Sequence, residues 1–410
     1  MKNKILVCEG NFSATLAAVR SFGRHGLRVV VADNISMPMS KFSKYTFQSV
    51  KCPDVRDEKN FISWILKSAG KGNFDVFFPT SDVLMWYTLK YNETLRRYMK
   101  IKIPYKKALE IALFKDLTYK YCKKFKIPAP TTYYPHSKHE LIELAGNIKY
   151  PVLIKHRTHA CLNNDRKGYV VWNKKELLKT YELSKLSDLD LDQKYKYVTW
   201  PIVQEFIHNT MNEVYNVSGF SNDRFDIVCI TSDKKIRQRP TKIGVGVCVM
   251  NFFDEELIEL ASRFIKKIQY NGIFSIEFIR DEKENLFKLI DFNPRAHAFM
   301  QLDIDKGMDV PWLWYESITK NVIPFKNPKI NVDRYYCNLT SDFINFPSQL
   351  LIRKNKINTM VEYLKTWSRA RSFADLDLYD ISPFFINMLT EFKDVFLHPR
   401  AFIRNTIKGE

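Results

Sequence analysis

The stretch GIFSIEFIRDEKENLFKLIDFNPRAH, residues 272–297, decides how the rest of the chain is read. Two alternating runs, 274–279 and 287–293, flank a charged turn at 280–286, which is the pattern of a β-hairpin. Period-two alternation puts Phe274, Ile276 and Phe278, then Ile290 and Phe292, on one face, and Glu277, Asp291 and Asn293 on the other. With the turn centred near Glu284, Glu277 and Asp291 stand opposite each other, roughly 5 Å apart at Cβ. Facing carboxylates repel and weaken a hairpin, so this pairing needs a reason other than hairpin stability.

Composition narrows the classes. A chain of 410 residues is long enough for two or three domains, and 45% hydrophobic with 14% aromatic residues excludes a disordered chain. The seven cysteines form no CxxC pair and stand near no histidine spacing, so they read as reduced thiols rather than as zinc ligands or a disulfide framework. Only a short apolar run, Ile5 to Cys8, precedes Glu9, and no uninterrupted 18-residue apolar stretch exists. The expectation is a cytoplasmic protein with no signal peptide or membrane span. A net charge of +19 suits an anionic nucleotide, an acidic substrate or an anionic membrane surface. Nucleic acid is not expected, because no RNP, zinc-finger or helix-turn-helix pattern accompanies the charge. A general lysine-rich bias would produce the same number.

The first hundred residues alternate strand and helix: KILVCEG, then a helix SATLAAVRSFGRHG capped by Ser13 and closed near Gly26, then RVVVADN and FDVFFPTSD. This predicts a parallel sheet with a cleft at its carboxyl edge. CEGNFSATLA lacks the glycines of GxGxxG, which disfavours NAD. A helix is expected at about 109–125, ended by Pro128 and Pro130, and strands at YPVLIKHR, KGYVVW, WPIVQEFIH, NEVYNVSGFS and RFDIVCITSDKKIRQRP. A helix at 254–270 then leads into the hairpin.

A strand ending in lysine, a strand with QEFI and a second acid, an arginine, and a hairpin ending E…IDFNPR follow one another in this order. The order resembles the ATP-grasp superfamily over roughly residues 105–325, and residues 1–104 resemble its usual pre-ATP-grasp domain. The resemblance implies an α/β and α+β fold: an N-terminal parallel-sheet domain at 1–104, a two-subdomain ATP-grasp domain at 105–325 with its lid subdomain at about 118–200, and a basic, aromatic, mostly helical C-terminal extension at 326–410. It also implies a cleft holding ATP with Mg²⁺, or Mn²⁺ in its place.

In such a cleft Glu277, Asp291 and Asn293 would hold the metal, turning carboxylate repulsion into coordination by hard oxygen. Lys115 and Lys155 would meet the phosphates as point charges. Glu205 would accept from the adenine amino group, the backbone of Phe206 and Ile207 would read the ring edge, and Glu213 would bind the ribose. Arg295 and Arg239 are the expected catalytic cations, bracing the transferring phosphoryl group, with Arg237 a solvated strand residue beside Arg239 and Lys242. One departure stands out: the loop HRTHACLNNDRKG has a single glycine, Gly168, where a glycine-rich lid is usual. Side chains such as Arg157 or Arg166 would then replace backbone amides, or the lid would be shaped for an anionic acceptor.

The implied chemistry is carboxylate activation as an acyl phosphate and capture by an amine, with a small-molecule, peptide or cell-envelope precursor as substrate. A kinase or carboxylase-like enzyme with another acceptor is the runner-up, and a catalytically silent nucleotide-binding protein at a membrane surface is the rival from outside the enzymes. The last segment, LLIRKNKINTMVEYLKTWSRARSF, is basic with an apolar stripe of Ile352, Ile357, Met360, Tyr363, Leu364 and Trp367. Helices packed on the body are the plain expectation for it; peripheral contact with a membrane surface is the sharper one.

Overall fold

Lys4–Cys8 is buried over its last four residues, and a strand apolar on both faces belongs inside a parallel sheet. The computed structural model, which describes residues 3–160, 168–186, 193–207, 214–240, 244–319 and 334–397, places it there. It pairs in parallel with Arg28–Asp33 on one side and Val76–Phe78 on the other. A fourth strand, Thr46–Lys51, forms one edge. Taken along the sheet, the strands run third, second, first, fourth in chain order. The winding direction therefore reverses between Lys4–Cys8 and Val76–Phe78, and the carboxyl ends of those two strands flank the crevice where such sheets hold ligands.

The helix Ser13–Arg24 covers this sheet, but Ser13 does not cap it. Ser13 is its first helical residue, and the capping position falls to Phe12, whose side chain makes no cap hydrogen bond. The helix expected near 109–125 is two helices, Lys106–Leu113 and Lys115–Phe125. Between them Phe114 is extended, at φ −110° and ψ 109°, and fully buried. Burying that ring breaks the helix and makes Lys115 the first residue of the second one, where its amide donates to the Arg157 carbonyl at 2.7 Å.

A small antiparallel sheet follows, ordered Thr132–Tyr133, Ile202–Glu205, Val152–Lys155, Tyr169–Val171. Helices Lys138–Ala145 and Lys174–Leu183 pack on it through Leu141, Leu177 and Tyr181. The largest sheet has seven strands, ordered Leu286–Asn293, Gly272–Asp281, Val214–Ser221, Ile227–Arg239, Val245–Asn251, Tyr335–Cys337 and Ala370–Phe373. Helix Glu255–Lys267 is capped by Asp254, whose side chain accepts from the Leu257 amide, and it buries Leu257, Leu260 and Phe264 against that sheet.

The C-terminal region is mostly helical (Leu339–Ile352, Lys356–Arg369, Ser382–Leu397), yet it also supplies the last two strands of the seven-stranded sheet. Among the described residues, no helix is long and apolar enough to cross a membrane. The six described cysteines are free and buried.

Candidate active site

The hairpin Gly272–Asp281/Leu286–Asn293 pairs Glu277 with Asp291 and Ser275 with Asn293, so the two acids do face each other. The register then slips: Phe278 pairs with Leu289, leaving Ile290 as the extra residue of a β-bulge. Ile290 is consequently not on the core face, as strict alternation predicts. Leu289 takes that place beside Phe287 and Phe292, and Ile290 turns into the cleft. Re-aiming one side chain while keeping the pairing on both sides is what a bulge does.

Each acid has its own lysine. The Lys115 ammonium bonds the Asp291 carboxylate, and Lys235 Nζ lies 2.8 Å from Glu277 Oε2 with its side chain almost wholly buried. Burial opposes ionisation of Asp291. The positive charges around it, Lys115 first and then His159 and Lys155, nevertheless hold its carboxyl well below the usual range. The opposite wall of the cleft is the small sheet. Lys155 Nζ reaches across to the Ile290 carbonyl at 3.3 Å, bridging the two walls. Gln204, Glu205, Phe206 and Ile207 continue the lining, and the Glu205 carboxylate accepts from the Thr131 amide at 3.0 Å. Seven of the expected site residues thus line one cleft: Lys115, Lys155, Glu205, Phe206, Ile207, Glu277 and Asp291.

No protein-family model matches this sequence, and no curated protein does. Solved structures match over most of the chain. Biotin carboxylase from Campylobacter jejuni, solved as a β,γ-ATP complex, superposes with a TM-score of 0.63 at 18% identity, covering 82% of this chain and 74% of its own. L-amino acid ligase from Bacillus licheniformis gives 0.58 at 14% identity, covering 78% of this chain and 74% of that one. N5-carboxyaminoimidazole ribonucleotide synthetase from Thermotoga maritima gives 0.53 at 16% identity, over 79% and 77%. This chain has the ATP-grasp fold.

Within this ATP-grasp fold the remaining expected residues fall in different places. Asn293 and Arg295 extend the site toward the N-terminal sheet. Arg295 Nη2 donates to Asn293 Oδ1 at 3.1 Å and to Asp82 Oδ2 at 3.0 Å. Asp82 follows the strand Val76–Phe78, so the arginine ties the hairpin to the crevice of the parallel sheet. Glu9 stands at the same edge in a left-handed backbone conformation, φ 56°, and accepts from Thr80 Oγ1 at 3.2 Å. Burial pushes its carboxyl up to about 7. Arg239 ends its strand next to the cleft-lining Gln238, but its guanidinium is engaged by Glu391 at 2.8 Å. Glu213, Arg166 and Lys242 lie outside the described residues.

Arg157 and Arg237 are both internal. Arg157 does not replace lid amides: it is fully buried, donating to the carbonyls of Trp200 at 2.7 Å and Pro135 at 3.1 Å. Arg237 is no solvated strand residue either. Asp342 grips it at 2.9 and 2.6 Å, Thr366 accepts from it at 2.8 Å, and the Tyr363 ring lies 3.9 Å beneath it. Residues missed in the sequence are Lys235 and Asp82, the charge partners of Glu277 and Arg295. His297 is buried beside this site, and burial followed by Arg295, Lys306 and Lys235 pushes its imidazole down to about 3.

The donor set at the hairpin is hard oxygen throughout: two opposed carboxylates and an amide. Lys115 and Lys235 neutralise the two acids here, so the opposed carboxylates stand in a setting already matched to positive charge. The residues present therefore fit Mg²⁺ or Mn²⁺.

Proposed function

We propose that the protein is an ATP-dependent ligase that activates a carboxylate as an acyl phosphate and joins it to an amine. One observation carries this reading: Glu277 and Asp291 face each other across the hairpin, each matched to a buried lysine, in the cleft that Lys155 spans. Mg²⁺ held by Glu277, Asp291 and Asn293 would neutralise charge on the nucleotide phosphates.

The chain's own groups do the rest. Lys155, across the cleft, and Lys115, beside Asp291, would bind phosphate oxygens as fixed ammonium groups. Phe206 and Ile207 present backbone to the adenine edge, with Glu205 and Glu213 taking the amino group and the ribose. Arg295, steadied by Asp82, stands where negative charge develops on the transferring phosphoryl group. Arg239 joins it on release from Glu391. Such catalysis is positioning plus charge stabilisation, and no covalent nucleophile is needed.

The test is phosphate release from ATP and Mg²⁺ over a panel of carboxylates and amines, with Asp291→Asn as the control. Release that needs both a carboxylate and an amine is expected, falling at least about a hundredfold in Asp291→Asn while its circular dichroism shows the fold kept. Release with bicarbonate alone would make the protein carboxylase-like, and ADP formed with an alcohol acceptor without release of phosphate, the phosphoryl group staying on the alcohol, would make it a kinase. Equal release from wild type and Asp291→Asn would remove the hairpin from the chemistry.

A further inference from the structure

Helix Lys356–Arg369 is apolar on two sides. Its inward side is Tyr363 with Trp367, packed around Phe346 of the helix Leu339–Ile352. On its other side Ile357, Val361 and Leu364 recur at intervals of four and three, one stripe on a helical wheel. They are 74%, 57% and 61% exposed. Large apolar side chains that open to solvent, in register along a helix that has already buried another side, mark a surface that meets something.

The surface extends beyond one helix. Exposed Phe343, from Leu339–Ile352, touches the rings of Trp367 at 6.1 Å and Phe392 at 6.4 Å, so three helices meet around it. On the third, Ser382–Leu397, Phe385, Leu389 and Phe396 repeat at four and seven and are also exposed.

Charge says what covers this surface. Lys354, Lys356, Lys365, Arg369, Arg371 and Lys393 are exposed around the apolar residues. On the wheel, Lys365 and Arg369 continue the arc of Val361 and Leu364. The acids described on these helices are already engaged: Glu362 by Arg353 at 2.6 Å, Glu391 by Arg239 at 2.8 Å, and Asp342 beneath Arg237. Among the described side chains, what remains is an apolar stripe bordered by cations. A second copy of the same face would bring like charges together, whereas an anionic bilayer offers phosphates at the rim and acyl chains at the centre.

We propose that this three-helix face docks on an anionic phospholipid bilayer, seating Ile357, Val361 and Leu364 at the acyl boundary and Lys365 and Arg369 among the headgroups. The reading does not rest on the proposed ligase activity: the residues it seats in the bilayer lie outside the cleft, and it draws on the Arg239–Glu391 pair only as that pair stands in this structure. Nothing in it requires a spanning helix.

The experiment is co-sedimentation of the full chain with phosphatidylcholine vesicles, with and without phosphatidylglycerol, across a salt series. Wild type is expected to bind the anionic vesicles, less so as salt rises, and to leave the neutral ones. Val361→Ser with Leu364→Ser should weaken binding by about tenfold or more, since two seated aliphatic side chains are lost. Lys365→Gln with Arg369→Gln should weaken it about thirtyfold at low salt and much less at high salt. All four positions are exposed, and an unchanged thermal midpoint confirms the fold of each variant. Absence of wild-type binding overturns the proposal. So does wild-type-like binding by both variants, which would assign association to the overall +19 charge. A concentration-dependent dimer dissolved by Val361→Ser/Leu364→Ser, without vesicle binding, would give the face to a second copy instead.

Discussion

Lys155 ends a buried strand and holds its ammonium against the Ile290 carbonyl, across the cleft from its own sheet. Lys155→Ala is expected to raise the Kd for ATP by roughly tenfold or more, the loss of one charge-assisted contact, as read by calorimetric titration with Mg²⁺ present. Its thermal midpoint should move little, because the side chain is only half-buried. Glu9 predicts a pH effect. Its carboxyl is raised to about 7 in the fold, against an ordinary 4.5. The folded protein therefore keeps a proton that the unfolded chain releases between those values, and stability falls as pH rises through that window. Glu9→Gln removes the loss: urea melts at pH 8 should show it about 1–3 kcal/mol more stable than wild type, with the gain fading toward pH 4.5. These single-residue environments were only half legible in the sequence. Glu277, Asp291 and Asn293 could be read because they share a short strand pair with a turn between them. Lys235 could not, because its pairing with Glu277 crosses the intervening strand Val214–Ser221, a neighbour relation that only the folded sheet order defines.

The seven-stranded sheet depends on close backbone approach at Gly219, in the middle of Val214–Ser221 between Ile227–Arg239 and Gly272–Asp281. A Cβ there would stand 2.2 Å from the Cys229 carbonyl oxygen and 2.7 Å from Phe274 Cζ. The carbonyl belongs to the neighbouring strand and has no room to yield. Gly219→Ala should therefore cost about 1–3 kcal/mol, seen as a lower thermal midpoint and weaker amide protection in all three strands. Element patterns also explain what was and was not read from the chain. The hairpin announced itself by alternation, and the βαβ start by buried runs such as KILVC. Thr46–Lys51 did not, because an edge strand with little burial has no apolar signature. The break at Phe114 was hidden because its ring continues the apolar spacing of a single helix. The bulge at Ile290 was equally silent, since Leu289 and Ile290 suit the core face equally well.

At the scale of the whole molecule, the chain closes on itself. Arg20, on the first helix, is almost fully buried; it bonds Asp380 Oδ2 at 2.9 Å and the carbonyls of Ala374, Asp375 and Asp380 at 3.3, 2.8 and 3.0 Å. Asp380 also accepts from Ser43 Oγ at 2.7 Å and the Lys44 amide at 2.8 Å. Asp380→Ala would leave a buried guanidinium without its counter-charge, at a cost of about 3–5 kcal/mol, measurable as a lower urea midpoint. A chain cut near residue 330 would lose this lock together with two strands of the largest sheet, so the membrane test needs the full chain. The same lock has a consequence in time. Arg20 and Asp380 are 360 residues apart, and a ribosome adding about 5–20 residues per second needs roughly 20–70 s to pass from one to the other. For that interval the nascent first helix carries a bare cation on a flank made for burial, and the parallel sheet beneath it lacks its final clamp. Slowing translation between the two would lengthen that exposure, and holding the emerged helix until Asp380 appears would protect it. A helix made 360 residues ahead of its partner is sealed only when that partner arrives.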